Sequence, residues 1–482
     1  TQHFIIQETW NRYPKHIFFI VGNEFCERFS YYGMRSVLLL YLRDYLHWDD
    51  DTSTSVYHAF TVLAYLFPLL GAIVADSYWG KYKTIIYLSI VYVFGHIVKT
   101  IGSIPYVPIF NQRMFLHSSV LSMFGLFFIA VGTGGIKPCV SSFGGDQFKP
   151  GQSYIRKQFF SLFYFAINAG SLISTFVTPI FRADVDCYPN ETAPEFDQCF
   201  ALAFGVPGAL MVVALILFIA GTRWYTIYPP EGSIITKFCM CIYTACRNRW
   251  NTPKQERNKE HWLEYADSPP KLIRDTKYVL RVLVLYIPLP FFWALFDQQG
   301  SRWTLQAIQT NGYLGSLLIK PDQVEVLNPL LIVTLIPLFE ATLYPFLRYF
   351  NIPFPPLRRM TVGLILAGCS FIAAAILQIE IDNLDLNPNT VNVAWMIPQF
   401  LIITVGEVFL SVTGLEFSYT QAPPSMKSVL TSIWLFTVSL GNIIVLIIAE
   451  AKGIEKQSDE FFLFAGLIFV AALLFIFLAY RW

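Results

Sequence analysis

Glu24, Glu27 and Arg28 sit inside a long apolar run, about 17–44, with Tyr31, Tyr32 and Arg35 close behind. Spacings of three and four place Glu24, Glu27, Arg28, Tyr31 and Arg35 on one face of a helix. Each charge near a bilayer centre costs at least about 2.5–3.5 kcal/mol on insertion scales, so this face looks into a bundle or a water-filled cavity. The chemistry such a face offers is ion pairing and proton exchange. A structural ion pair needs only Arg28 and Glu24; the second carboxylate and the paired tyrosines are left over for function.

Other polar residues recur within apolar segments. His58 and Tyr65, seven apart, share a helix face. Lys137 lies in Gly132-Thr-Gly-Gly-Ile-Lys-Pro138, where small residues allow helices to approach closely. A desolvated ammonium calls for a carboxylate, and Glu24 or Glu27 is the nearest expected. Tyr164 and Asn168 are one turn apart. Arg281 opens the seventh apolar segment, which carries Phe292 and Trp293 before the polar run Asp297-Gln-Gln-Gly-Ser-Arg302. Asn328 and Glu340 fall on the eighth segment. Glu407 and Glu416 fall on the tenth, nine residues and close to half a rotation apart. Only one can face a cavity unless Gly414 breaks the helix. Glu416, which shares a face with Thr413 and Thr420, is the expected cavity carboxylate, and Glu407 is expected to pair locally. By composition alone Phe292, Trp293 and Trp434 are bundle-packing residues. Taken as a set, cations in the first half and an anion in the second suit a zwitterionic ligand. Its carboxylate would meet Arg28 and Lys137, its amino group Glu416.

The elements that must hold these residues are long and apolar. Of 482 residues 55% are hydrophobic, 17% aromatic and only 14% charged, against about 25% charged in a globular protein. Repeated apolar runs near twenty residues mark an all-α membrane protein of many spans. Twelve spans are expected, at about 17–44, 54–76, 82–104, 116–142, 157–181, 200–222, 277–300, 322–348, 357–381, 391–420, 427–449 and 460–481. They divide six and six, as residues 1–222 and 277–482, around a linker at 223–276 with amphipathic helices near 232–249 and 254–266. The stretch 223–277 carries ten Lys and Arg. By the positive-inside rule it is cytoplasmic, and so are both termini. Cys187 and Cys199 flank a loop with the sequon Asn190-Glu-Thr192, expected to be extracellular, glycosylated and closed by a disulfide. Cys239, Cys241 and Cys246 lack histidine partners at metal spacing, so no metal site is expected. The net charge of +1 argues against nucleic-acid binding. No nucleophile–base pair has usable spacing, so an enzyme is not expected.

Gly71-Ala-Ile-Val-Ala-Asp76-Ser-Tyr-Trp-Gly80-Lys81-Tyr-Lys83 resembles the signature cytoplasmic loop of the major facilitator superfamily, two six-helix bundles around a central cavity. Glu24-x-x-Glu27-Arg28-Phe-x-Tyr-Tyr32-Gly is similar to the first-helix motif of proton-coupled oligopeptide transporters. The segments around Tyr164–Ser171, Trp293–Trp303 and Gly414–Tyr419 resemble the same family, and look like its animal intestinal and renal di- and tripeptide carriers. The resemblance implies a symporter of di- and tripeptides and peptide-like drugs, with protons as co-substrate, no other cofactor, and a plasma-membrane location as a monomer. It implies that Arg28, Tyr32 and Lys137 meet the peptide carboxyl end, and that Asn168, Asn328 and Glu416 meet the amino end and backbone. Tyr65, Tyr164, Phe292, Trp293 and Trp434 would form side-chain pockets. His58, Glu24 and Glu27 would couple protons, and Arg281 with Glu340 would form a gating pair. The animal carriers insert a large extracellular domain between spans nine and ten; here nine residues, Asp382–Thr390, join Ile381 to Val391. A same-fold carrier of nitrate or another small anion, and a non-transporting peptide sensor, are the alternatives. The paired glutamates and Glu416 disfavour the anion carrier, and the twelve spans disfavour the sensor.

Overall fold

The structure, a computed structural model, describes residues 14–104, 115–149, 151–187, 198–230, 232–253, 257, 259–383, 390–451, 454 and 456–482. Among the described residues, ten helices are each long and apolar enough to cross a membrane: Asp50–Trp79, Lys81–Ile101, Ser119–Gly145, Tyr154–Ala183, Phe200–Trp224, Pro321–Tyr349, Pro356–Asn383, Val393–Ser418, Lys427–Glu450 and Gln457–Arg481. Pro270–Val284 and Leu289–Ile308 make one more as a pair bent by 53°. The helix Ile17–Leu40, continued by a wider turn at Tyr41–Tyr45, is also long, but its buried charges set it apart from these apolar spans; it is counted below as span one, as expected from the sequence. The spans are numbered here in chain order.

Span seven is the departure from the expected pattern. It begins at Pro270 and is interrupted between Leu285 and Pro288. Pro288 and Pro290 lack the N–H groups that would continue the helix. A tight turn at Asp297–Gly300 interrupts it again before Arg302. That second break delivers Asp297, Ser301 and Arg302 to the meeting surface of the two halves.

Each half holds its own apolar core. Tyr31, Tyr92, Phe159 and Phe204 belong to the first; Trp303, Phe371, Phe400 and Phe461 to the second. Lipid tails are as apolar as these side chains, so close approach rather than water exclusion holds such helices together. Gly170 on span five shows this: a Cβ there would lie 2.7 Å from the Phe25 carbonyl of span one. The absent side chain lets span five press against the turn that carries Arg28.

The linker contains the helix Ile234–Asn251, capped by the Ser233 hydroxyl. The second expected helix is present only as a short turn at Trp262–Tyr265, and 254–256 and 258 lie outside the described residues. The linker is tied to the end of span two: Gly232 N–H donates to the Asp76 carbonyl at 2.8 Å and Ser233 N–H to Ser77 Oγ at 3.2 Å. Cys187 and Cys199 form a disulfide at the opposite end of the bundle. These are called below the linker end and the disulfide end. Asn190 lies outside the described residues. A two-stranded hairpin, Tyr313–Leu314 with Leu317–Leu318, joins spans seven and eight.

Candidate functional site

A cavity lies between the halves. Its lining includes Tyr32 and Arg35 of span one, Tyr65 of span two, and Tyr164, Asn168 and Ser171 of span five. Across from them stand Trp293, Asp297 and Gln299 of span seven, Glu325 and Asn328 of span eight, and Glu407 of span ten. Six residues expected at a ligand site therefore share one hollow: Tyr32, Tyr65, Tyr164, Asn168, Trp293 and Asn328.

The cavity carboxylate of span ten is Glu407, not Glu416. Asn328 Nδ2 donates to Glu407 Oε2 at 2.8 Å. Tyr32 and Tyr164 both lie within electrostatic range of Glu407. Glu416 is exposed and away from this lining. The half rotation between the two acids does separate them, but depth decides which faces inward. Glu407 stands mid-way along Val393–Ser418, whereas Glu416 stands in its last turns and is exposed. The depth of each acid within its span was the signal that could have chosen correctly.

Arg28 and Lys137, the first-half cations expected at the carboxyl end of a ligand, stand behind the cavity wall. Arg28 Nε lies 2.6 Å from Glu24 Oε1 and 3.0 Å from Glu27 Oε2, all three buried. Thr133 Oγ1 donates to Glu27 Oε1 at 2.9 Å. Lys137 does not pair with either glutamate. Its ammonium sits 3.8 Å from the Tyr65 ring centre and 4.6 Å from that of Tyr31, in cation–π contact. The reason is competition: the Arg28 guanidinium, one turn from Glu24, presents several donors in a fixed plane and takes both carboxylates. Phe292 and Trp434 form a second layer behind Trp293, with ring centres 5.3 and 6.2 Å from it. Gly414 leaves room for this layer; a Cβ there would lie 2.5 Å from Trp434.

His58 is buried at the junction of the halves. Its Nδ1 lies 2.6 Å from Asn442 Oδ1 and its Nε2 2.8 Å from Ser301 Oγ. Asn442 Nδ2 donates to Asp297 Oδ2 at 2.7 Å, and Asp297 Oδ1 accepts from Arg35 Nη2 at 2.8 Å. Arg35 Nε donates in turn to Tyr57 Oη at 2.7 Å. A continuous polar chain thus crosses from span one to span eleven. Arg35, Asp297, Ser301 and Asn442 were not assigned from the sequence, although the polar run Asp297–Arg302 within an apolar segment was visible there.

Among the described residues, further ion pairs join the halves at the disulfide end. Arg182 makes two hydrogen bonds to Asp322, at 2.8 and 2.9 Å. Arg302 reaches Asp51 at 2.7 Å and Lys320 reaches Asp184 at 2.7 Å. The expected gating pair is not formed: Arg281 and Glu340 are both exposed, and among the described residues neither enters an ion pair. Among the described residues, no group of three or more His, Cys, Asp or Glu is arranged to hold a metal.

A model of the POT family matches residues 82–454. The chain is similar to solute carrier family 15 member 2 of Danio rerio, 38% identical over 663 aligned residues that cover 97% of this chain and 90% of that protein. It is similar to solute carrier family 15 member 2 of Homo sapiens, 37% identical over 668, covering 98% and 90%. Solute carrier family 15 member 1 of Oryctolagus cuniculus is 37% identical over 661, covering 97% and 93%. These alignments run longer than the 482 residues here, so the relatives hold residues without a counterpart in this chain. Among solved structures, the POT family transporter PepTSo superposes with a TM-score of 0.82 at 31% identity, covering 97% of this chain and 98% of that one. An auto-inhibited POT family peptide transporter gives 0.77 at 31% identity, covering 97% of each.

Proposed function

The chain belongs to the POT family, and from that premise we infer that it is a proton-coupled symporter of di- and tripeptides and peptide-like drugs, working by alternating access. The observation that carries this reading is the placement of Glu407. It is an acceptor carboxylate held by Asn328 in the same hollow as Tyr32 and Arg35 of the opposite half. A peptide ammonium belongs on Glu407, and Asn168 and Asn328 suit its backbone. Its carboxylate belongs on the first half, where Arg28 and Lys137 wait behind Tyr32 and Tyr65. The solved relative described as a peptide transporter supports the substrate class. A lone anion would have no use for Glu407.

Protons act on the carboxylates that compete for the cations. Protonating Glu24 or Glu27 loosens their hold on Arg28, which the peptide carboxylate then takes. Protonating His58 disturbs its bonds to Ser301 and Asn442, which join the halves. The disulfide end faces outside, the linker and both termini lie in the cytoplasm, and the carrier works in the plasma membrane as a monomer. The ion pairs at the disulfide end then describe a shape with the outer mouth shut. The driving force is adequate: 100 mV supplies about 2.3 kcal/mol per charge and one pH unit about 1.36 kcal/mol. Together these sustain roughly 500-fold accumulation for one proton.

The test is uptake of a labelled dipeptide into proteoliposomes with and without an acid exterior. Uptake that rises with the gradient, with inward current on adding peptide, is expected. Equal uptake without a proton gradient would sink the coupling, and no uptake would sink the substrate class.

A further inference from the structure

Span two grips span seven at two points near the disulfide end. Asp51 and His58 are seven residues apart, about two turns, and so share a helix face. They hold consecutive residues: Arg302 Nη2 donates to Asp51 Oδ1 at 2.7 Å, and His58 Nε2 lies 2.8 Å from Ser301 Oγ. Arg302 is anchored further by span twelve. Its Nε donates to Glu460 Oε1 at 3.0 Å, and its carbonyl accepts from Gln457 Nε2 at 2.8 Å. Ser301 itself is not helical, with φ −129° and ψ −92°. Ser301 is the N-cap of the helix Arg302–Ile308, its carbonyl accepting from Leu305 N–H at 3.0 Å, so the anchoring of Arg302 at that helix's first residue also sets the direction of the Ser301 hydroxyl. On its other side Gly300 packs directly beneath Tyr57 Oη, leaving no room for a side chain.

We propose that Asp51 and Glu460 are positioning residues for proton coupling: by fixing Arg302 they aim the Ser301 hydroxyl at His58, and so set the external pH at which the carrier turns over. This rests on the proton-coupled reading above. Asn442 donates through Nδ2 to Asp297 and to the Val438 carbonyl, which leaves its Oδ1 to accept from His58 Nδ1–H. His58 Nε2 is then a lone pair, and the Ser301 hydroxyl donates to it. A proton arriving at Nε2 has to displace that donor. Anchored, Ser301 resists; released, it turns and accepts from the new N–H. The charged and polar groups around His58 are Asn442, Ser301, Asp297, Arg35, Arg302 and Tyr57. Around Arg302, Asp50, Asp382 and Lys456 line the same outer cavity as Asp51 and Glu460.

The experiment is dipeptide uptake against external pH in the full chain, normalised to surface expression, for wild type, D51N, E460Q and D51E. D51N, which removes the part-buried partner, is expected to move half-maximal uptake toward neutral by about half a pH unit, and E460Q, which removes the buried one, by at least as much. KM at saturating acid should stay within about twofold, and D51E should restore the wild-type profile. Lower uptake at every pH with an unmoved midpoint, or a midpoint moved toward acid, overturns the assignment. If D51N does not reach the membrane, E460Q decides, since it leaves the contact between the halves in place. Wild-type uptake that ignores pH overturns the reading beneath this one and this one with it. A proton-driven wild type with unshifted variants overturns this one alone.

Discussion

The two ends of the molecule use similar residues in opposite ways. At the disulfide end, Arg182 is buried against Asp322, and Arg302 is buried against Asp51 and Glu460. At the linker end, Arg281, Glu340 and Glu416 stand exposed, none of them in an ion pair among the described residues. Burial is what gives a charge leverage. Removing one partner of a buried pair leaves an uncompensated charge, whereas an exposed pair contributes little. The shape seen here therefore has buried inter-half ion pairs at the disulfide end.

The strongest way to break this contrast is at Asp322. The variant Asp322→Asn strands the Arg182 guanidinium, whose side chain is 6% exposed. Losing one member of such a pair costs about 3–5 kcal/mol, enough to move a two-state carrier far toward the alternative shape. A cysteine introduced at Thr175, which lines the cavity, should then label much faster with an impermeant reagent added on the disulfide side. An unchanged labelling rate would show that this pair does not keep that end shut.

The next test sharpens the comparison within span ten. Glu407→Gln should weaken peptides with a free amino end by about 10- to 100-fold, the size of one charge-assisted hydrogen bond of roughly 1.5–3 kcal/mol. Amino-blocked peptides should lose much less, and Glu416→Gln should leave both within about twofold. Competition against a labelled dipeptide measures all four affinities. Equal losses in the two variants would remove Glu407 from the amino-end role.

The fold was legible because helix length and the six-plus-six rhythm are written in hydropathy. Buried acids and bases in apolar runs also pointed to a cavity before any helix was placed. Faces were legible too: Tyr32, Tyr65, Tyr164, Asn168, Trp293 and Asn328 converge as their spacings allow. Partners were not. Periodicity shows that Lys137 faces inward but not that Arg28 reaches both glutamates first. It assumes regular helices, and span seven is broken at Pro288 and again at Asp297–Gly300. Those breaks create the junction around His58, and no one-dimensional pattern reveals which side chains a break brings together. The choice between Glu407 and Glu416 turns on depth along the span, which the threonines sharing the Glu416 face do not report.

The smallest expected effect is at the linker end, and it tests whether that end is governed by charge at all. Arg281 and Glu340 are exposed and, among the described residues, unpaired, so Glu340→Gln should change uptake by less than about twofold. A double-mutant cycle with Arg281→Gln should give a coupling below about 0.5 kcal/mol. A coupling above about 1 kcal/mol would mean that the two residues meet when the linker end closes. The asymmetry between the ends would then belong to one shape of the carrier, with each end holding buried pairs in its turn.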